Sequence, residues 1–300
     1  MKFVKFIAIF GLSMISLSAC AAGKLVNVKL QVVDQDHHPV EGAKVDMGFM
    51  LSQGGNSYIG YTDTDGKVEA TEKGIYGQSI LVTKEGYYDS GHRTGYGDQD
   101  LTLELREVKN PIAMYVARQE EIQSLIEKNP AKSIGYDLLA GDFTGPFGKG
   151  HVSDLIFSGS YNYQKAFQHN FELTIEFGGD LDGLIPFYVT EMSNKWKSDI
   201  ESEYKSAYLA PATGYIGQWS FLRSRSGPDS KPINTFDQNR NYYFRVRTKI
   251  DEDGNIESAH YGKIYGEFPM ITHYFNPTPN DRNVEFDLRK NLKDGVILRP

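Results

Sequence analysis

Hydrophobic and polar positions alternate in short runs along most of this chain. Val26, Val28, Leu30 and Val32 are separated by Asn27, Lys29 and Gln31, a period of two that turns one face of a strand to a core and the other to water. Asp34 to Pro39 reads as a turn, and Val40 to Val45 begins the next strand. Tyr61 to Val68 reads as strand, turn and strand. Ser79 to Thr83 is another strand, ended by Lys84-Glu85-Gly86-Tyr87, and Leu101, Leu103 and Leu105 alternate with Thr102, Glu104 and Arg106. Short strands divided by turn signals predict a small, seven-stranded-type β-sandwich over residues 24–108.

Asn110-Pro111 breaks the chain after that sandwich, and a second domain is expected over 109–300. Arg118 to Lys128 predicts one helix, with Ile122, Leu125 and Ile126 on one face and Asn129-Pro130 as its end. Trp196, Ile200 and Tyr204 are spaced for a second helix over Asn194–Tyr208. The rest is β. Phe171, Leu173, Ile175 and Phe177 alternate with Glu172, Thr174 and Glu176. Phe244, Val246 and Ile250 are set among Arg245, Arg247 and Lys249. Asp251-Glu252-Asp253-Gly254-Asn255 predicts a hairpin turn into a strand over Ile256 to Tyr265, and Val284, Phe286 and Leu288 alternate near the end. The fold class is all-β, with one or two short helices; the larger domain is expected to be a sandwich of jelly-roll type, a barrel being the alternative.

The N-terminus departs from this pattern. Lys2 and Lys5 precede an apolar stretch from Phe6 to Leu17, interrupted by Gly11, Ser13 and Ser16. It falls short of the roughly 20 residues that cross a bilayer and has the length of a signal-peptide core. Leu17-Ser18-Ala19-Cys20 resembles the bacterial lipobox, which implies lipidation of Cys20 and a signal peptide over 1–20. Ordinary cleavage at the small residues Ala19 and Ala21 is the alternative. A multiply acylated cysteine anchors stably where one chain is marginal, and Ala21, not being aspartate, implies the outer membrane by the enteric-type sorting rule. The expected location is the bacterial envelope, exported and lipid-anchored.

Composition narrows the partners. Cys20 is the single cysteine, so the chain beyond it has neither disulfide nor thiol chemistry. The formal charge is −7; without residues 1–20, which hold two lysines and no acid, 30 basic residues face 39 acidic ones, giving −9. An acidic surface argues against nucleic acid and against docking on anionic lipid.

In the first domain, Asp34-x4-Pro39-Val40-x-Gly42-Ala43-x-Val45, Thr62-Asp63-x-x-Gly66-x-Val68 and Lys84-x-Gly86-Tyr87 resemble a carboxypeptidase regulatory-like domain of the transthyretin-like sandwich group, over about residues 26–106. His38 stands where that family usually has glycine. The resemblance implies an accessory, non-catalytic module. No resemblance is found for 109–300.

The candidate chemistry is sparse. Two His-x-x-Glu pairs, His38/Glu41 and His169/Glu172, have a spacing used by zinc peptidases, but i and i+3 face opposite ways on a strand and zinc needs about three convergent ligands. Asp-x-Asp-Gly occurs at Asp63/Asp65/Gly66, Asp180/Asp182/Gly183 and Asp251/Asp253/Gly254. A calcium loop needs an earlier oxygen ligand, and Tyr61, Gly178 and Lys249 stand there, so turn chemistry is favoured; Asp180 and Asp182 remain the calcium candidates. Gly141 to His151 is glycine-rich without phosphate-loop spacing, and is read as a solvated connection or a binding rim. His151, Ser153 and Asp154 lack a nucleophile elbow. Glu172, Glu176, Asp180 and Asp182 supply carboxylates for a glycosidase-type pair.

Residues 109–300 hold 13 Tyr, 13 Phe and both Trp, enough to fill a core and leave some for a surface. Tyr208, Tyr215, Trp219, Tyr242 and Tyr243 are the candidates for a ligand-stacking cluster. The expected function is a non-enzymatic binding or scaffold protein for glycan, peptide or an envelope protein, with no cofactor. The alternative is a polysaccharide-acting hydrolase or lyase.

Overall fold

The computed structural model describes residues 23–188 and 202–293. The expected signal peptide with Cys20, and Trp196 and Ile200 of the expected second helix, lie outside the described residues. Those residues form an all-β protein of two compact units, 23–84 with 90–104, and 85–89 with 105–188 and 202–293.

The first unit holds β1 (Lys24–Val33), β2 (Lys44–Met50), β3 (Gly55–Tyr61), β4 (Lys67–Gly74), β5 (Gln78–Thr83), β6 (Ser90–Arg93) and β7 (Gln99–Glu104). They make a sheet of order β4-β1-β7 and a sheet of order β3-β2-β5-β6. The alternation read from β1 is realised: Val26, Val28, Leu30 and Val32 are buried, as are Val45, Met47 and Phe49 of β2 and Ile80 and Val82 of β5. Turns join them by side-chain acceptance. Asp34 Oδ1 takes the N–H groups of Asp36 and His38, and Asp63 Oδ1 takes those of Asp65 and Lys67. Gly66 has φ +71°, and a Cβ there would lie 2.4 Å from the Val32 carbonyl oxygen, so glycine is demanded by both conformation and space.

The second unit holds β8 (Ile112–Gln119), α1 (Ile122–Lys128), β9 (Ile134–Asp137), β10 (Asp142–Phe143), β11 (Leu155–Lys165), β12 (Gln168–Phe177), β13 (Gly183–Tyr188), β14 (Gln218–Arg225), β15 (Ile233–Asn234), β16 (Arg240–Ile250), β17 (Ile256–Tyr265), β18 (Ile271–Phe275) and β19 (Phe286–Asn291). One six-stranded sheet has the order β10-β9-β11-β12-β14-β15, the other β13-β16-β17-β18-β8-β19. Phe157, Phe171, Leu173, Ile175 and Phe221 of the first sheet share one core cluster with Tyr242, Phe244, Val246, Ile264 and Phe275 of the second. Two separate sheets around a common core make a sandwich, not a barrel. A further cluster, with Met114, Val116, Tyr243, Tyr261, Tyr274 and Ala210, buries the other face of the second sheet. This is why Tyr242 to Val246 are buried without a break, where alternation predicts every second residue exposed.

The helix is shorter than expected. Arg118 and Gln119 pair with Thr272 and Ile271 in the sheet, and α1 starts only after Glu121, whose N–H goes to Gln119 Oε1. Ile122 and Ile126 face the core as predicted. The described end of the expected second helix, 202–208, is not helical, because its backbone is spent elsewhere: Glu203 N–H donates to the Asp89 carbonyl and Ala207 N–H to the Tyr243 hydroxyl.

One polar contact ties the two sheets of this unit together. Between Val246 and Lys249 the β16–β17 register shifts, and Arg247 adopts φ +55°, a left-handed conformation costing roughly 1–2 kcal/mol in a non-glycine residue. Its guanidinium lies 5.3 Å over the Phe275 ring. Nε and Nη2 donate to the two oxygens of Asp154, each at 2.8 Å, and Nη2 donates to Asp137 Oδ1 at 2.8 Å. The acids are nearly inaccessible, at 5% for Asp137 and 1% for Asp154, against 22% for Arg247. Burial would raise the Asp137 carboxyl, but N–H donors of Ala140, His151 and Val152 and the Arg247 charge outweigh it and hold it below the ordinary carboxylate range. A third acid, Asp182, accepts the N–H groups of Arg247 and Thr248, each at 3.0 Å.

His273 is buried beside this junction. Its Nε2–H donates to the Leu138 carbonyl at 2.8 Å, and Tyr136 meets its ring edge-on at 5.5 Å. Burial pushes its pKa down from 6.5 to about 4, against the upward pull of the Leu138 carbonyl.

Two outcomes follow for unfolding in urea. Arg247→Leu leaves two buried carboxylates without their cation and is expected to lower stability by about 3–5 kcal/mol; a loss under about 1 kcal/mol would contradict the role given to the contact. His273 binds a proton more readily unfolded than folded, so its contribution is complete above pH 6.5 and is lost as pH falls through about 4. The expected loss across that window is about 3 kcal/mol, and it is absent in His273→Gln.

Candidate functional site

The polar end of the first six-stranded sheet of the second unit forms a groove of about 360 Å³. The β11–β12 hairpin outruns its core here. Tyr161 still packs edge-on against Phe171, with ring centroids 5.9 Å apart, but beyond that pair the inward positions are Tyr163 and His169. Pairing aligns Asn162, Asn170, Ser224 and Ile233 in one row across β11, β12, β14 and β15. The next row holds Tyr163, His169 and Arg225. Neighbouring residues on a strand face opposite ways, so a groove that takes Gln168, His169 and Asn170 in succession wraps the tip of the sheet. Gln164, Ser226 and Lys231 complete its polar lining.

Several of these groups are held in place. His169 Nδ1 lies 3.1 Å from the Ala166 carbonyl oxygen, to which it donates, leaving Nε2 for a ligand. Arg225 Nε and Nη2 donate to the carbonyls of Gly227 and Pro228 at 3.2 and 2.6 Å. Two exposed aromatics stand at the rim. Tyr163 stacks on His169 at 6.4 Å, and Phe167 carries the Arg225 guanidinium at 4.5 Å. Planar amides that donate and accept, a fixed guanidinium, an imidazole and exposed ring faces can together hold a hydroxyl-rich ligand by hydrogen bonding and stacking.

The five aromatics proposed from sequence do not form one cluster. Tyr242 and Tyr243 are buried, which corrects their expected place on the surface: the second sheet is covered on both faces, so adjacent residues of β16 both turn inward. The Tyr242 hydroxyl donates to Glu267 Oε1 at 2.5 Å, and the Tyr243 hydroxyl accepts the Ala207 N–H at 2.6 Å. Trp219 packs edge-on to Tyr242 at 5.4 Å on the core side. Tyr215 lies under Arg245, 4.6 Å from its guanidinium. Tyr208 closes a stack in which Tyr88, Tyr204 and Tyr208 follow at 5.0 Å spacings.

Beneath that stack, Lys263 is fully buried. Its Nζ reaches Ser206 Oγ and the Tyr265 hydroxyl at 3.2 Å, and lies 4.5, 4.8 and 5.1 Å from the ring centres of Tyr204, Tyr265 and Tyr274. Burial holds its amine well below the ordinary lysine range.

The remaining candidates resolve into structural roles. His169 and Glu172 sit on opposite faces of β12, and Glu172 accepts from Asn170 Nδ2 at 3.0 Å and Ser160 Oγ at 3.4 Å. In the other pair, His38 Nδ1 lies 3.3 Å from Asp34 Oδ2, while Lys84 Nζ donates to the Glu41 carbonyl at 2.6 Å. Asp34, Asp36 and His38 are close enough to share a cation, but Asp34 Oδ1 already takes two turn N–H groups. Asp180 is exposed, whereas Asp182 is buried under β16, so the two calcium candidates diverge. Asp251 Oδ1 accepts from the N–H groups of Asp253 and Asn255, the same turn chemistry as Asp63. Glu172 and Glu176, four residues apart on one strand, are about 13 Å apart, wider than the roughly 5–9 Å of a glycosidase pair. In the glycine-rich loop, Asp142 takes the N–H groups of Phe143 and Lys149, and Ser153 Oγ lies 3.2 Å from Thr144 Oγ1. Asp154 belongs to Arg247, so His151, Ser153 and Asp154 make no relay.

The groove itself escaped the sequence reading. Its signal was the run Asn162-Tyr163-Gln164 facing Gln168-His169-Asn170, where both faces of a hairpin turn polar together.

No family model and no curated protein matches the chain. Among solved structures it is similar to a 3-chlorocatechol 1,2-dioxygenase from Rhodococcus opacus, at 12% identity over 29% of this chain, with a TM-score of 0.26. The chain spans 60% of that enzyme's length. It is also similar to a DUF3823 family protein from Parabacteroides merdae, at 6% identity over 88% of this chain and 100% of the other, with a TM-score of 0.24. A proposed carbohydrate-binding protein from Bacteroides uniformis aligns at 9% identity over 85% of this chain and 98% of the other, with a TM-score of 0.21. Similarity at this level establishes no shared activity.

Proposed function

We propose that this chain is a non-enzymatic glycan-binding protein of the bacterial envelope, anchored by lipid on Cys20, with the groove at the tip of β11, β12 and β14 as its binding site. The first unit, resembling a carboxypeptidase regulatory-like domain, serves as an accessory module. The observation that carries the reading is the row Asn162, Asn170 and Ser224 beside His169 and Arg225, with Tyr163 and Phe167 exposed at the rim. Amides on rigid strands present donors and acceptors at fixed spacing, which suits the hydroxyls of a sugar. Binding without turnover is favoured because Asp137 and Asp154 are committed to Arg247, Asp182 to the β16 backbone and Glu172 to its neighbours.

The test is calorimetric titration of the protein with neutral and acidic oligosaccharides. Replacing Asn162 and Asn170 together with alanine is expected to weaken binding by about ten- to a hundred-fold, since each lost hydrogen bond contributes roughly 0.5–1.5 kcal/mol. Unchanged affinity in that variant would remove the groove from the function. Separately, Cys20→Ser is expected to move the protein from the membrane fraction to the soluble periplasmic fraction; retention on membranes would refute the lipid anchor.

A further inference from the structure

We infer that the glycan held by this groove is anionic, carrying carboxylate or sulfate groups that meet Arg225 and Lys231; the inference rests on the groove being the glycan site. The chain as a whole is acidic, with a formal charge of −7. The groove reverses that sign. Its lining includes Arg225, Lys231 and His169, and neither an aspartate nor a glutamate. Lys165, at the end of β11, adds a further cation at the hairpin tip. Two acids stand nearby: Glu172, which accepts from Asn170 Nδ2 and Ser160 Oγ, and Asp229, in the exposed loop between Arg225 and Lys231. Neither lines the groove, and among the described residues neither forms an ion pair with Arg225 or Lys231.

Geometry strengthens the charge argument. The Arg225 guanidinium is fixed before any ligand arrives, by two backbone carbonyls on one side and the Phe167 ring beneath it. Among the described residues its Nη1 has no acceptor. A planar donor group that is already oriented loses little freedom on meeting a carboxylate or sulfate. Lys231 is exposed and makes no side-chain hydrogen bond among the described residues, so it can follow the anion as a mobile second charge. The amides of Asn162 and Asn170 would hold hydroxyls of the same or the next sugar. On an acidic protein, a local basic groove also directs an anionic chain to one place, because the rest of the surface repels it.

The full chain is titrated with three probes: oligogalacturonides, the same oligomers after reduction of their carboxyls to alcohols, and sulfated dextran oligosaccharides. The acidic probes are expected to bind about ten-fold or more tightly than the reduced one, and their affinity is expected to fall as salt rises from about 0.05 M to about 0.5 M. Lys231→Gln and Arg225→Gln are each expected to erase most of that preference. Asn162→Ala is expected to weaken all probes alike. Should Arg225→Gln disturb its loop, the exposed Lys231→Gln still decides the matter. Equal binding of acidic and reduced oligomers, without salt dependence, would overturn the inference and leave glycan binding standing. Failure of every probe to bind would end both. Preference between the first and third probes tells carboxylate from sulfate.

Discussion

The second unit depends on one ion cluster, the Arg247 guanidinium shared between Asp154 and Asp137. Two sheets packed through aromatic and aliphatic side chains can slide by small amounts at modest cost, since hydrophobic contact is not directional. A bidentate guanidinium–carboxylate contact is directional, and it joins β16 of one sheet to the ends of β9 and β11 in the other. Asp154 stands immediately before β11, and Asp137 closes β9. The base of the β11–β12 hairpin is therefore fixed in register against the opposite sheet, and the groove at its far tip inherits that position. The left-handed backbone at Arg247 is the local cost of bringing the cation inside.

The two sheets of this unit face different surroundings, and their polar residues differ to match. The second sheet is covered on both faces at its centre, so Arg245, Lys263 and Glu285 are internal. Arg245 donates to the carbonyls of Leu181 and Ala212, and Glu285 accepts from the Tyr88 hydroxyl and from the N–H groups of Lys109 and Asn110. Each is satisfied by fixed partners, as burial requires. The first sheet keeps one face toward solvent. There Ser158, Thr174 and Ser220, then Ser160 and Glu172, then Asn162, Asn170 and Ser224 form successive cross-strand rows.

Period-two alternation made most of the strands legible, including β1, β12 and the hairpin at Asp251–Asn255. It failed where a residue's environment is set by another part of the chain. Arg247 reads as a solvent-side residue of β16, because neither a register shift nor a left-handed φ at an arginine has a sequence signature. Tyr242 and Tyr243 both read as surface aromatics, and the covering of the second face by distant segments, which buries them both, cannot be seen from β16 alone. Gln119 reads as helix because nothing local announces its pairing with Ile271. The Asp-x-Asp-Gly fragments were read correctly as turns at Asp63 and Asp251, where the first aspartate satisfies its own loop. At Asp182 the same fragment serves a different strand. The groove was hidden for the opposite reason: amides at a hairpin tip look like ordinary solvated turn residues until pairing lines them up.

Lys263 adds a chemical consequence. Its amine is enclosed by tyrosine faces and hydroxyls with no solvent exposure. Among the described residues, acylating and glycating reagents that attack primary amines reach the other lysines from water but meet this one only when the second unit opens. Covalent marking at Lys263 would thus record breathing of the sandwich, and the protein carries within its own interior a clock for that motion.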